Sequence, residues 1–259
     1  MDNLVNVNQD LSTRVIKDPI FNNHTKILKL ADPVVLYNNG VNWKCVPLKT
    51  FLIYPVIHDL YEGDKRITVY VCPYTLFSCV YFEQFFPGNQ VYNNNLTLTN
   101  KDNILIPILG NLYNRDTMNL VDNYIRKGEV KIMTLRNAIS TFPDILFFEL
   151  ENIATNLMVP LVDADYSKNK IIKFDNAKFS DKYHPKQIIY VIEYHSKKQS
   201  EYKYTVIIPK NGNLDIKKNK FGDYFNKMIN KIRDKGGHIY TCYWFAWEST
   251  HTNFKEIEI

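Results

Sequence analysis

Polar and apolar positions alternate most cleanly over residues 66–82. Ile67, Val69 and Val71 share one face, and Thr68, Tyr70 and Cys72 share the other. That period of two, carried by β-branched and aromatic residues, predicts a strand. Pro73 ends it because proline has no N–H for a sheet ladder. Residues 78–82 read as a second strand, so the pair forms a hairpin or tight crossover with Cys72 at its rim. Around this unit the same reading predicts strands at 32–37 and 43–48 flanking the turn Asn38-Asn39-Gly40. It predicts further strands at 96–99, 104–109, 188–194, 202–208 and 238–247. Residues 51–60, which carry His58, read as a helix or loop packed on the sheet, and 85–89 as a loop. Helical spacing is expected at 117–127, capped by Thr117 and stopped by Gly128, and at 134–140, which Pro143 cannot continue. The clearest helix is 223–235, with Tyr224, Phe225, Met228, Ile229 and Ile232 in one stripe and Lys227 opposite.

Strands segregated from a few short helices predict a β-rich α+β fold, mainly antiparallel, and not a doubly wound sheet. Residues 34–49 echo 188–210, each a strand, a polar turn, a strand and a Pro-containing exit, and 138–150 echo 246–259. Two related units are therefore expected. Residues 1–19 form a polar lead-in, 20–162 the unit with the Cys-Pro hairpin, and 163–259 the unit with the Trp-rich strand. The irregular stretch 163–184 connects them, and the two units pack as one domain.

Composition narrows the class. Apolar residues make up 45% and charged residues 23%, as in ordinary water-soluble domains, and 18 Tyr and 15 Phe suit sheets. The abundance of Asn, Lys, Ile and Tyr points to an AT-rich genome such as that of a protist or a large DNA virus. The N-terminus has neither a basic start nor an apolar run, so no signal peptide is expected, and no segment approaches the ~20 apolar residues of a membrane span. Cys45, Cys72, Cys79 and Cys242 form no CxxC pair, and reduced thiols in an intracellular setting, cytoplasm or virion, are expected. The net charge is +5, with much of the Lys and Arg density at 217–220 and 227–235, and a solvated helix face explains this at least as well as a nucleic-acid patch.

In order along the chain, several motifs resemble the domain-of-unknown-function family 3179. They are Asp32-Pro33-Val34 with Val46-Pro47-Leu48-Lys49, then His58-Asp59, where the family has His-Glu. Tyr70-Val71-Cys72-Pro73-Tyr74-Thr75 and Tyr92-Asn93-Asn94-Asn95-Leu96 follow, and Tyr243-Trp244-Phe245-Ala246-Trp247 with His251 closes the series. The resemblance runs from about residue 18 to the C-terminus. It implies a role that is itself undefined for the family. Asn100, Leu105, Pro107 and Thr252-Asn253 stand where the family pattern has Asp, Trp, Gln and Pro-Asp, which implies a copy whose polar site positions are partly replaced.

Candidate chemistry centres on Cys72. Paired with His58 it could form a thiolate and imidazole, which needs the thiol pKa pulled down by a neighbouring cation or donors; the plain alternative is a small hydrophobe at a strand end. Tyr74 and Thr75 beside it, with Asn95, Trp244 and His251, are candidate ligand contacts, against the commoner uses of such residues in turns and aromatic cores. A pocket is expected at the rim, with Cys72, Tyr74 and Thr75 on one wall and His58 or the Trp244 strand on the other. Cys72, Cys79, Cys242, His58 and His251 match no zinc spacing, so no metal site is assigned. No motif specifies a cofactor: a Gly-rich phosphate loop, a carboxylate pair and a nucleophile elbow are all missing from the sequence. The expected function is a non-enzymatic or degenerate family member with a binding or structural role, taking a protein partner or a small ligand. The alternative is a thiol- or metal-dependent enzyme at Cys72 and His58.

Overall fold

The structure, a computed structural model, describes residues 3–25, 28–61, 63–122, 128, 130–149, 159–163, 165–196, 201–209, 231 and 237–258. Among the described residues the strands fall into four small sheets, and most neighbouring strands are antiparallel. One sheet runs β2 (Val15–Lys17), β6 (Val56–Tyr61), β7 (Lys65–Val71), β8 (Ser78–Tyr81). The largest runs β1 (Leu4–Asn6), β9 (Phe86–Tyr92), β10 (Asn95–Thr99), β11 (Asn103–Ile106), β12 (Asn111–Asn114), β13 (Leu120–Asp122). A third holds β14 (Val130–Thr134), β4 (Pro33–Asn38), β5 (Trp43–Pro47), β15 (Leu146–Phe148) and β3 (Phe21–Asn22) in that order. The fourth holds β18 (His238–Tyr243), β16 (Ile188–Ser196), β17 (Glu201–Ile208) and β19 (Lys255–Glu258).

This partition corrects the expectation of two units: four small sheets suggest a propeller-like arrangement of four blades. One continuous core draws buried side chains from every sheet, among them Tyr37, Val69, Leu96 and Val191. A smaller cluster, including Val34, Leu36 and Cys45, lies under the short helix α2 (Leu135–Thr141). Among the described residues no helix is long and apolar enough to cross a membrane.

Several elements differ from the periodicity reading, each for a local reason. The lead-in is not loose: β1 and β2 join two different sheets, and Leu11 between them is fully enclosed. Residues 51–60 are neither one helix nor one loop: α1 (Leu48–Phe51) ends at their start, and β6 begins at Val56 directly after Pro55, which no helix could run through freely. Residues 86–89, expected as loop, pair in β9. The helix expected at 117–127 does not form over residues 117–122, and 123–127 lie outside the described residues. The Asn114 side chain accepts from the N–H groups of Asp116 and Thr117, Met118 takes φ +56°, and the chain enters β13. The helix expected at 223–235, with Ile229 and Lys227, lies outside the described residues.

The alternation of β7 also has a different meaning from the expected one. Both of its faces are closed over, from Ile67 to Val71. Its polar face is buried because its polar atoms are paired. Thr68 Oγ1 donates to the Glu83 carbonyl at 2.6 Å and accepts from Phe85 N–H at 2.9 Å, and Tyr70 Oη donates to the Leu96 carbonyl at 2.6 Å.

Candidate functional site

The Cys-Pro loop begins where β7 runs out. Pro73 offers no donor, so the chain closes on itself: Cys72 N–H donates to Phe77 O and Leu76 N–H to Cys72 O, both at 2.9 Å. Leu76 sits at φ +56°, a left-handed conformation that side chains other than Gly and Asn rarely hold. Thr75 O accepts from Tyr243 N–H at 2.7 Å, which ties the loop to the end of β18.

The Asn-rich motif is the partner of this loop. Tyr92 pairs with Asn95 across β9 and β10, leaving Asn93 (φ +44°) and Asn94 (φ +62°) as a two-residue hairpin turn with both residues left-handed. The turn is buried, unlike most, and each of its side chains holds a different segment. Asn95 Nδ2 donates to Thr75 Oγ1 at 2.8 Å. Asn93 Nδ2 donates to Ser249 O at 2.8 Å. Asn94 Oδ1 accepts from Phe174 N–H at 2.7 Å, and its Nδ2 donates to Phe174 O and to Asn176 Oδ1, both at 2.7 Å. The asparagine side chain thus pairs with the backbone of Phe174 as a strand neighbour would.

Cys72 belongs to the same network. Its Sγ accepts from Leu96 N–H at 3.3 Å and lies 3.8 Å from the Asn94 carbonyl, and the residue is fully enclosed. His58 is elsewhere. It pairs with Thr68 in the β6–β7 ladder, and Cys72 lies four residues beyond Thr68, just past the end of β7, about 13 Å at the rise of a strand. A carbonyl can only accept, so the 2.8 Å contact of His58 Nε2 with Phe85 O places the ring proton on Nε2. The buried Nδ1 has no hydrogen-bond partner among the described residues, and burial holds the imidazole pKa below its ordinary value.

Trp244 and His251 belong to the far side of the junction. The strand expected to 247 stops at Tyr243, and Trp244–Glu248 turns into a short helix, α3. Tyr243 N–H is taken by Thr75 O, and Trp244 and Phe245 N–H by Gln187 O and Pro185 O, so the ladder does not continue. His251 stacks on Trp247 with ring centroids 3.6 Å apart, and Tyr204 meets both edge-on. Trp244 packs edge-on against Tyr183 and Phe254. Among the described residues no group of three or more His, Cys, Asp or Glu side chains could hold a metal ion.

Of the residues singled out in the sequence, Cys72, Thr75 and Asn95 come together, with Trp244 one residue beyond the Tyr243 tie, while His58 and His251 stand apart. Tyr74, though buried, lines an open cleft of about 500 Å3. The facing walls come from β1 and its continuation to Gln9, from 159–161 and from Lys173-Phe174; His58 and Trp244, the expected wall, are not among them. Burial pushes the Tyr74 hydroxyl pKa well above the ordinary phenol value, so it is a neutral donor.

The sequence reading missed three buried cations. Lys44 Nζ contacts Asp59 at 2.6 and 2.8 Å, Tyr37 Oη donates to the same carboxylate at 2.9 Å, and the ammonium lies 4.4 Å from the Phe21 ring centre. Lys186 donates to Tyr166 O, Asn169 Oδ1 and Ile171 O, at 2.5–2.8 Å, and burial pushes its pKa down to about 8. Arg14, 6% exposed, donates from Nη1 to Ile53 O and Val159 O and has no carboxylate partner among the described residues. Lys44 had a sequence signal, as a charge inside the apolar run Trp43–Pro47. Arg14 and Lys186 had none, because their partners are carbonyls distant in the chain.

No family model, no curated protein and no solved structure matches the chain.

Proposed function

We propose that this chain is a non-catalytic binding protein, related to the domain-of-unknown-function family 3179, in which the shared motifs serve as a rigid frame for a ligand cleft. The observation that carries this reading is the state of Cys72. Its sulfur is enclosed and occupied as the acceptor for Leu96 N–H, and the nearest expected base, His58, lies about four strand residues away. A nucleophilic thiol needs an adjacent base and access to substrate; this one has a buried amide instead. Thr75 Oγ1 is likewise occupied, as the acceptor for Asn95 Nδ2 and Phe77 N–H. An intracellular setting is part of the proposal, supported by four buried cysteines of which none is in a disulfide.

The test is a ligand screen by thermal shift, with product formation followed in the same wells, on the natural protein and on Cys72→Ala. The expected result is at least one compound that raises the melting temperature of both proteins while no product accumulates. Turnover present in the natural protein and lost in Cys72→Ala would overturn the proposal.

A further inference from the structure

The cleft outside the Cys-Pro loop gathers donors that the fold leaves unused. Arg14 engages carbonyls only through Nη1, and its Nε and Nη2 bond to none of the described residues. Tyr74 is 1% exposed, yet it lines the cleft, and its hydroxyl makes no hydrogen bond with the described residues. Lys173 is exposed and forms no ion pair among them. Asn6 adds a backbone donor. Val7 N–H bonds Asn89 O, so Val5 and Val7 turn their polar groups to β9 and Asn6 turns its own away, on the free edge of the sheet. None of the lining residues is acidic. A buried guanidinium without a counter-ion is costly, and charge-assisted hydrogen bonds to an oxyanion would offset that cost. Asn8 and Gln9 add polar side chains, and the apolar part of the wall comes from residues such as Val5, Val159 and Phe174, whose ring stands edge-on to Tyr74 at 5.2 Å. A volume of about 500 Å3 suits one small organic molecule.

We propose that this cleft binds a small organic oxyanion, with its phosphate or carboxylate held by Arg14, Tyr74 and Lys173 and its apolar body laid against Phe174 and Val5. The proposal deepens the binding reading and rests on it, and its test separates the two. The probes are 4-nitrophenyl phosphate, 4-nitrobenzoate and the neutral 4-nitrobenzyl alcohol, added to the full chain and read by calorimetry. Release of nitrophenol is followed separately. Whichever of the two anions binds tighter identifies the head group. Either anion should bind at least about tenfold more tightly than the alcohol, and Lys173→Glu should weaken it by about tenfold or more. Tyr74→Phe should weaken it several-fold while leaving the unliganded melting temperature near that of the natural protein, since only an unpaired hydroxyl is removed. Lys173→Glu, at an exposed position, should also fold normally, so its lost affinity reports the cleft. Equal binding of alcohol and anions, no binding of either anion at millimolar concentration, or full affinity in Lys173→Glu would each overturn the oxyanion site. Anion binding accompanied by nitrophenol release would instead uphold the site and contradict the non-catalytic reading.

Discussion

A cysteine that accepts a hydrogen bond from a buried amide can be replaced only by a group that does the same. Cys72→Val should leave Leu96 N–H unpaired and cost about 1–3 kcal/mol, whereas Cys72→Ser, which keeps an acceptor, should cost less. Urea denaturation of the two variants checks the order, and a valine variant as stable as the serine variant would show the sulfur bond to be idle. His58 gives a pH prediction. Its folded pKa lies below 6.5, chiefly through burial. As pH falls through about 6.5 the unfolded chain therefore takes up a proton that the native state refuses, and stability declines. His58→Gln can still donate to Phe85 O but does not titrate, so the natural protein should lose stability relative to it between about pH 7 and 5.5. A constant difference over that range would mean that the imidazole titrates alike in both states. Asp59 is the third residue of this kind. Asp59→Asn strands the buried Lys44 ammonium and should cost about 3–5 kcal/mol, and adding Lys44→Met should recover part of the loss. The double variant being no better than the single would contradict the ion-pair account. The sequence pointed to Cys72 and His58 as notable residues but paired them with each other. Their actual partners, Leu96 N–H and Phe85 O, are backbone groups, and a backbone group leaves no trace in residue identity.

At the scale of elements, the buried Asn93–Asn94 turn does two jobs at once. Left-handed backbone admits Gly or Asn, and three polar contacts from the Asn94 side chain hold the segment at Phe174 and Asn176. Asn94→Gly should keep the turn and lose those contacts, costing about 1–3 kcal/mol. Asn94→Ala should lose both and cost about 1 kcal/mol more, since alanine is disfavoured at positive φ. Chemical denaturation ranks the three proteins, and alanine equal to glycine would show that the turn relaxes away from the left-handed region. The hairpins β4–β5, β7–β8 and β16–β17 were legible because β-branched and aromatic residues dominate their strands and breaks in the pattern bound them. The end of β18 was not. Tyr243-Trp244-Phe245-Ala246-Trp247 reads as strand by its aromatics, and what converts its last residues into α3 is capture of three N–H groups by Thr75 O, Gln187 O and Pro185 O. The helix expected at Thr117 failed in the opposite way: a local competitor, the Asn114 side chain, took the first donors.

For the whole molecule, strand content followed from pattern, but the grouping of strands into four sheets did not. Pairings such as β1 with β9 and β2 with β6 join chain segments far apart, and nothing in the lead-in residues 1–19 advertised them. The same long-range closure makes the frame. The Cys-Pro loop, the Asn-rich turn, the Phe174 segment and the end of β18 are four distant stretches that hold one another through backbone and amide groups. If that frame is what the motifs are for, Cys72 must stay sealed as long as the fold stands. The direct measurement is site-resolved alkylation of the native protein at neutral pH, repeated across a urea series. Cys72 should remain unmodified while a free thiol in the same tube reacts to completion, and it should become reactive only with the midpoint of global unfolding. Labelling of Cys72 in the native protein at the rate of the free thiol or faster would contradict the account.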